Sequence, residues 1–393
     1  MKILFLTASM GGGHAKAAEA VMETMEMRCP GFSGQIVDTL KYISPVVDKL
    51  VTGAYLKTVT TTPGIYGKFY KLSEMDENIT DITKSFNKLM SYKLFGFINE
   101  YAPAAVVCTH TFPLQMLSSL KRKGMLQVPV IGVVTDFVNH FFWKLDGVDA
   151  FIVAHEYIRN DMIKMGIPGE KIHTLGIPVA RNFLVHKDRS RLARELGLKN
   201  KLTMLIMGGS LGLGGVEKVF KSLLECGRDI QIIAVTGYNA KLEEKLKKIA
   251  AGSLKDVKIY GYTDRVSDLM DISDFVITKP GGLTVSEALV KKLPILIMSP
   301  IPGQEERNAR FLTNTGAAAR IFRYEDLDSL FCQILDNPLR LRHMHEMAEY
   351  LAKPNASEEI AGLVESISGQ RNILLAKTGF PSLPLSFKPS SLT

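Results

Sequence analysis

Thr278-Lys279-Pro280-Gly281-Gly282-Leu283-Thr284-Val285-Ser286-Glu287 is followed by the apolar run Leu293–Met298 and then by Pro302-Gly303-Gln304-Glu305-Glu306-Arg307-Asn308. The stretch reads as a strand (Asp274–Thr278), a glycine turn, a helix, a second strand and a polar loop. It forms one α/β half-unit with polar residues gathered at the carboxyl ends of two strands, where open parallel sheets bind ligands. Gly281 and Gly282 let backbone N–H groups come close to a ligand, and the helix start adds a partial positive charge, so phosphate is the natural guest. Glu287, placed in the first helical turn by this reading, suits a sugar hydroxyl better than a phosphate. A second reading of the same residues stays open: Thr284 and Glu287 have the spacing of a capping box, in which both side chains only satisfy helix amides.

The same device recurs twice upstream. Ile3–Leu6 is a short apolar strand that runs through Gly11-Gly12-Gly13-His14 into a helix lasting to about Met27, and Lys201–Met207 runs through Gly208-Gly209-Ser210 into another. The first of these turns lacks the Lys-Ser/Thr of a Walker loop and does not meet the dinucleotide pattern GxGxxG cleanly. His14 is either a buried, hydrogen-bonded spacer or, at the tip of a strand–glycine–helix turn, a group that faces a cleft. Apolar strands at Ala104–Thr109, Val128–Thr135, Asp149–Ala154, Gln231–Thr236 and Val257–Tyr260 alternate with helices. This predicts an α/β protein of two Rossmann-like, doubly wound domains facing a cleft. The division expected is residues 1–178, a connector at 179–200, a second domain at 201–368 and a disordered Pro/Ser-rich tail at 369–393. A chain of 393 residues exceeds one compact core, which also favours two domains.

Composition narrows the function classes. The net charge of +8 suits an anionic ligand, nucleic acid or an anionic membrane surface, without choosing among them. Four scattered cysteines carry no zinc spacing and read as reduced thiols. The apolar run at the start, Ile3–Leu6, is too short for a leader, and no run approaches the 18 or so apolar residues of a membrane span. Between Lys41 and Phe95, lysines interleave with aromatic residues including Tyr55, Tyr66, Phe69 and Tyr70. That segment is either a helical subdomain with a solvated lysine face or an amphipathic surface for anionic lipid.

Two facing glycine-lined edges suit a nucleotide sugar. Helix-start amides at Gly12, Gly13, Gly209, Ser210, Gly281 and Gly282 would hold the diphosphate, Glu287 the ribose, and Gln304 with Glu305 the sugar hydroxyls. No DxD-like pair sits at a strand end and no carboxylate cluster has metal spacing, so no metal and no cofactor are expected; the leaving diphosphate would be stabilised by amides and helix dipoles. Polar groups past the strand ends on the other side, Asp136, His110, His140 and the lone tryptophan Trp143, are candidates for an acceptor site.

Gly11-Gly-Gly-His14, Thr109-His110, Val134-Thr-Asp136 with His140 and Trp143, Gly176-Ile-Pro-Val179, Lys279-Pro-Gly-Gly-Leu-Thr-Val-Ser-Glu287-Ala and Pro302-Gly-Gln-Glu305 with Asn308 occur in order. Together they resemble the monogalactosyldiacylglycerol synthase and processive diacylglycerol glucosyltransferase group of glycosyltransferase family 28, from Met1 to about Ser368. The family's peptidoglycan-precursor transferase is similar in its glycine turns but lacks the Asp136…His140…Trp143 run. The resemblance implies the glycosyltransferase B architecture and inverting transfer of glucose or galactose from UDP-hexose to diacylglycerol, by an enzyme peripheral on the cytoplasmic face of an anionic membrane. It implies no nucleic-acid partner. Mapped by motif, Gly281, Gly282 and Ser286 would approach the phosphates, Tyr262 the base, and Asn308 would join Gln304 and Glu305 on the donor. His14 is the candidate general base, since a neutral imidazole has a pKa near the working pH. Asp136 is the alternative base, an orienting group, or a cap for the turn after its strand.

Overall fold

The computed structural model of the protein describes residues 1–8, 11–46, 48–49, 53 and 79–378, for residues 79–89 and 370–378 the backbone alone. The tyrosines and phenylalanine singled out between Tyr55 and Tyr70 lie outside the described residues, as does the chain beyond Thr378.

Among the described residues, two six-stranded sheets carry the fold, and every strand pairing is parallel. The first contains β1 (Lys2–Thr7), β2 (Ser33–Asp38), β3 (Ala105–Cys108), β4 (Val130–Val133), β5 (Ala150–Ile152) and β6 (Ile172–His173), in the order β2-β1-β3-β4-β5-β6. The second contains β7 (Thr203–Met207), β8 (Gln231–Val235), β9 (Asp256–Tyr260), β10 (Phe275–Thr278), β11 (Ile295–Ile297) and β12 (Ala318–Arg320), in the order β12-β11-β10-β7-β8-β9. Counted from β7, this is the 3-2-1-4-5-6 order of dinucleotide-binding domains. Central strands such as β3, β4, β7 and β10 are buried along their whole length, because helices cover both faces and leave no polar side to alternate with. The strands are shorter than the apolar runs; Pro129, lacking an N–H, stands just before β4.

Strand β2 is absent from the sequence-based expectation. It is the edge strand, paired to β1 alone, and most of its residues keep partial contact with solvent. Its Ser33-Gly34-Gln35 start therefore carries no apolar run to announce it. The last helix, Ala356–Thr378, corrects two further expectations. It continues through residues 369–378, assigned above to a tail, and it leaves the second half to pack on the first. Ala356, Ile360, Ala361 and Val364 join Ile3, Phe5, Ala18 and Val21 in one core cluster. Arg28 reaches both Glu358 and Glu365 from the first helix, Gly13–Arg28, and Ser357 Oγ donates to Val179 O at 2.8 Å. The domain expected to close at residue 368 thus lends its last helix to its neighbour.

Candidate active site

Each sheet has one place where the strand order reverses, between β1 and β3 in the first and between β7 and β10 in the second. Loops leaving those strands diverge there and open a crevice. The two crevices face one another across a cleft of about 590 Å³.

On the second-domain side, β10 leads to Gly281, the N-cap of helix Gly282–Val290, and no side chain caps that helix. A side chain at Gly281 would meet open space, and the same holds at Gly209 after β7, whose φ of +70° favours glycine. Gly11, after β1 on the facing domain, is a third point where main chain is bare toward the cleft. Gly282 differs. A Cβ there would drive into the carbonyl oxygen of Thr135 and come 3.1 Å from Asp136 Cα, so this glycine permits the two domains to touch. The glycine turns also meet each other: a Cβ on Gly12 would sit 3.4 Å from Ser210 Oγ.

Because the helix begins at Gly282, Thr284 lies inside it and the capping-box reading fails. Glu287 falls in the second turn, not the first, and lines the cleft. Burial pushes its carboxyl up from 4.5 to about 8, opposed by the Lys16 ammonium. Ser286, one residue earlier, points elsewhere: it is 7% exposed and donates to Gly282 O at 2.9 Å, the usual fate of a buried serine within a helix. Expected near the phosphates, it does not line the cleft. Gln304 and Glu305 do line the cleft, on the first turn of helix Gln304–Asn314 and not on a loop. Gln304 Nε2 donates to Asp136, while Glu305 pairs with Lys279 at 2.9 Å and accepts from the Ile301 N–H at 2.9 Å. Asn308, expected on the donor, is fully buried behind them. Its Nδ2 donates to Asp136 Oδ1 at 2.9 Å and to Pro280 O at 3.0 Å, and its Oδ1 accepts from the Phe137 N–H at 3.0 Å.

At the rim Tyr262 stacks on Tyr238, ring centroids 4.4 Å apart and planes 9° from parallel. Tyr238 escaped the sequence reading, yet Gly237-Tyr238 after β8 mirrors Gly261-Tyr262 after β9, a parallel that was there to be seen. Lys279, inside the quoted motif but given no role there, and Lys16, outside every motif, also line the cleft.

On the first-domain side, His14 is the second residue of helix Gly13–Arg28, so backbone geometry fixes where its ring starts. Its Nδ1 lies 2.9 Å from Thr109 O and 2.8 Å from Thr135 Oγ1. A carbonyl can only accept, so Nδ1 carries the proton and Nε2 is left as the basic nitrogen. Burial holds the ring's pKa below 6.5, with the Thr109 bond working the other way. The imidazole is therefore neutral at pH 7. Asp136 lines the cleft as well; burial raises its carboxyl to about 7, Glu305 adds to the rise, and the bonds from Asn308 and Gln304 oppose it.

His110, His140 and Trp143, expected to touch an acceptor, form the wall behind His14 and do not line the cleft. His110 caps helix Thr111–Arg122 by accepting from the Phe112 N–H at 3.0 Å, and its ring stands edge-on to His14 with centroids 4.7 Å apart. Burial, then His14 and His140, hold His110 well below the ordinary range. Burial likewise lowers His140 to about 3. Trp143, 3% exposed, packs beside Gly132 and His140.

Comparison with known proteins places this geometry. The family model for monogalactosyldiacylglycerol synthase matches residues 14–179, and that for the glycosyltransferase family 28 C-terminal domain matches residues 203–361. A Bacillus pumilus protein named processive diacylglycerol beta-glucosyltransferase is 30% identical over 379 residues, which span 95% of this chain and 96% of that protein. The chain belongs to the monogalactosyldiacylglycerol synthase and processive diacylglycerol glucosyltransferase group of glycosyltransferase family 28. Among solved structures, this glycosyltransferase is similar to MurG of Acinetobacter baumannii, with a TM-score of 0.61 and 16% identity over 93% of this chain and 99% of that one. It is also similar to HepE of Anabaena in complex with UDP-glucose, with a TM-score of 0.52 and 15% identity over 96% and 100% of the two chains. These likenesses identify the fold of the family 28 chain as the two-domain glycosyltransferase B architecture. Among the described residues of this glycosyltransferase, no helix is long and apolar enough to cross a membrane, and no group of three or more His, Cys, Asp or Glu side chains is placed to hold a metal ion.

Proposed function

We propose that the protein transfers a hexose from UDP-hexose to the hydroxyl of diacylglycerol with inversion, giving a β-glycosyldiacylglycerol. The observation that carries this reading is the pairing, in one cleft, of a bare helix start beside Glu287 with a histidine whose Nδ1 is tied to a carbonyl. The name borne by relatives at about 30% identity supports diacylglycerol as acceptor and favours glucose over galactose.

In this mechanism the diphosphate lies against the start of helix Gly282–Val290 and the turn at Gly209-Ser210. Glu287 accepts from the ribose hydroxyls. The acceptor hydroxyl gives its proton to His14 Nε2 as its oxygen attacks the anomeric carbon, and the bond from that carbon to the diphosphate breaks. A single displacement inverts the centre. The charge gathering on UDP is met by main-chain amides and the helix dipole, so no bound cation is invoked. Asp136 orients the acceptor or His14. The enzyme would dock reversibly on an anionic membrane at the cytoplasmic face, with lysines and aromatics between residues 41 and 95 as the contact; each such lysine is worth about 1 kcal/mol at the surface.

Release of UDP from UDP-glucose and from UDP-galactose, each with and without diacylglycerol liposomes, tests the proposal. Release that depends on diacylglycerol is expected, with mass spectrometry identifying the glycolipid. No release from either donor would sink it, and UDP binding without turnover would leave a nucleotide-sugar-binding protein in its place. Liposome flotation indifferent to anionic lipid would refute the docking surface.

A further inference from the structure

Three consecutive residues of the first domain, Thr135-Asp136-Phe137, are each held by a residue of the second. Gly282 lies flat against the Thr135 carbonyl. Gln304 and Asn308 donate to the two oxygens of Asp136. Asn308 also accepts from the Phe137 N–H at 3.0 Å, and Phe311 stacks on the Phe137 ring with centroids 5.6 Å apart and planes 19° from parallel. Gln304, Asn308 and Phe311 stand at i, i+4 and i+7 on helix Gln304–Asn314, one stripe along one face. Phe311 is gripped further by His155 and Tyr157, again from the first domain. The same strap reaches the base: Thr135 Oγ1 is 2.8 Å from His14 Nδ1.

We propose that Asn308 is a positioning residue for Asp136, and that the stripe Gln304–Asn308–Phe311 couples seating of the donor domain to the arrangement of Asp136 and His14. This rests on the reading of the cleft as a site of sugar transfer. Asn308 meets the requirement because all three of its bonds are internal and it is fully buried, so it holds the second domain's Pro280 turn and the first domain's Asp136 in one register without reaching ligand. A donor-domain displacement that breaks the Asn308 bonds leaves Asp136 without a fixed orientation and frees Thr135 to turn away from His14. Transfer then waits on closure.

The test compares the full-length Asn308→Ala and Phe311→Leu variants with the wild-type protein, reading UDP affinity by calorimetry, kcat with diacylglycerol liposomes, and hydrogen exchange of the peptide containing the Phe137 amide. The expected result is a kcat lower by 100-fold or more in Asn308→Ala and by about tenfold in Phe311→Leu. UDP affinity should change by less than about threefold, and the Phe137 amide should exchange faster in both. Loss of UDP affinity in step with kcat would overturn the proposal by making Asn308 a donor contact, as would an unchanged kcat. Phe311→Leu retains every hydrogen bond to Asp136, so it judges the strap if Asn308→Ala does not fold. If the wild-type protein binds UDP but transfers no sugar, the functional reading fails by itself, and unchanged exchange at Phe137 in Asn308→Ala then overturns the strap separately.

Discussion

Three helices that open on the cleft lack the side-chain caps that two helices elsewhere carry. Helices Gly13–Arg28, Gly282–Val290 and Gln304–Asn314 start from Gly12, Gly281 and Gly303 with no side-chain cap. Helices Arg189–Leu196 and Pro338–Leu351 start from Asp188 and Asn337, whose side chains accept from the Arg191 and Arg340 N–H groups. A cap contributes about 1 kcal/mol. Three helix starts around one cleft forgo it and leave main-chain N–H groups there without a side-chain acceptor. Helix Leu327–Leu335, away from the cleft, is uncapped too, so it is the missing cap together with the cleft that motivates a binding role.

Four experiments sharpen or break that contrast. The largest effect is expected from His14→Ala, the one side chain at an uncapped start with a free basic nitrogen: kcat should fall by roughly 10²–10⁴-fold, with UDP affinity nearly kept. Persistence of turnover would move the base to Asp136. Next, Gly281→Asp installs the missing cap where a side chain has open space and backbone φ −73°, ψ 136° already suits it. It should raise stability by a few tenths of a kcal/mol while weakening UDP by tenfold or more, since a carboxylate then occupies the diphosphate's place; undiminished UDP binding would show that this helix start is not the phosphate site.

Glu287 supplies the third. Its carboxyl titrates at about 8 when folded against an ordinary value of 4.5, so the unfolded chain ionises first and the folded state loses stability as pH rises between those values. Glu287→Gln removes that loss. The Tm difference, variant minus wild type, should be near zero at pH 4 and grow to a few degrees at pH 9, in ligand-free protein; a difference flat in pH would show that burial does not govern this group. The smallest effect belongs to Asn337→Ala, which removes an ordinary cap: about 1 kcal/mol of stability in denaturant unfolding and no change in kcat.

These ends also mark where the sequence was legible. Glycine after an apolar run signals the strand–turn–helix units that follow β1, β7 and β10, and continuous apolar strands announce a parallel sheet. What glycine does at each position was less visible. Gly281 faces open cleft while Gly282, its neighbour, packs on Thr135 of the other domain, and only tertiary structure separates them. The helix start decided the next pair: moving it to Gly282 turns Glu287 into the cleft and Ser286 into the interior, because successive helical residues lie about 100° apart. Asn308 looked like a donor contact because its type and motif position say nothing of burial. His110, His140 and Trp143 looked exposed to an acceptor because strand ends usually are, yet they pack behind His14. Strand β2 was hidden by its polar start, and the last helix by the fact that helical periodicity does not say which sheet a helix will cover.

That last helix has a consequence for the order in which the molecule can be made. Ala356, Ile360 and Val364 complete the layer over Ile3 and Phe5, so the half synthesised first lacks part of its covering until nearly the whole chain has left the ribosome. At 5–20 residues per second the wait is roughly ten to forty seconds, during which the apolar face over β1 is open to chaperones or to the lipid surface itself.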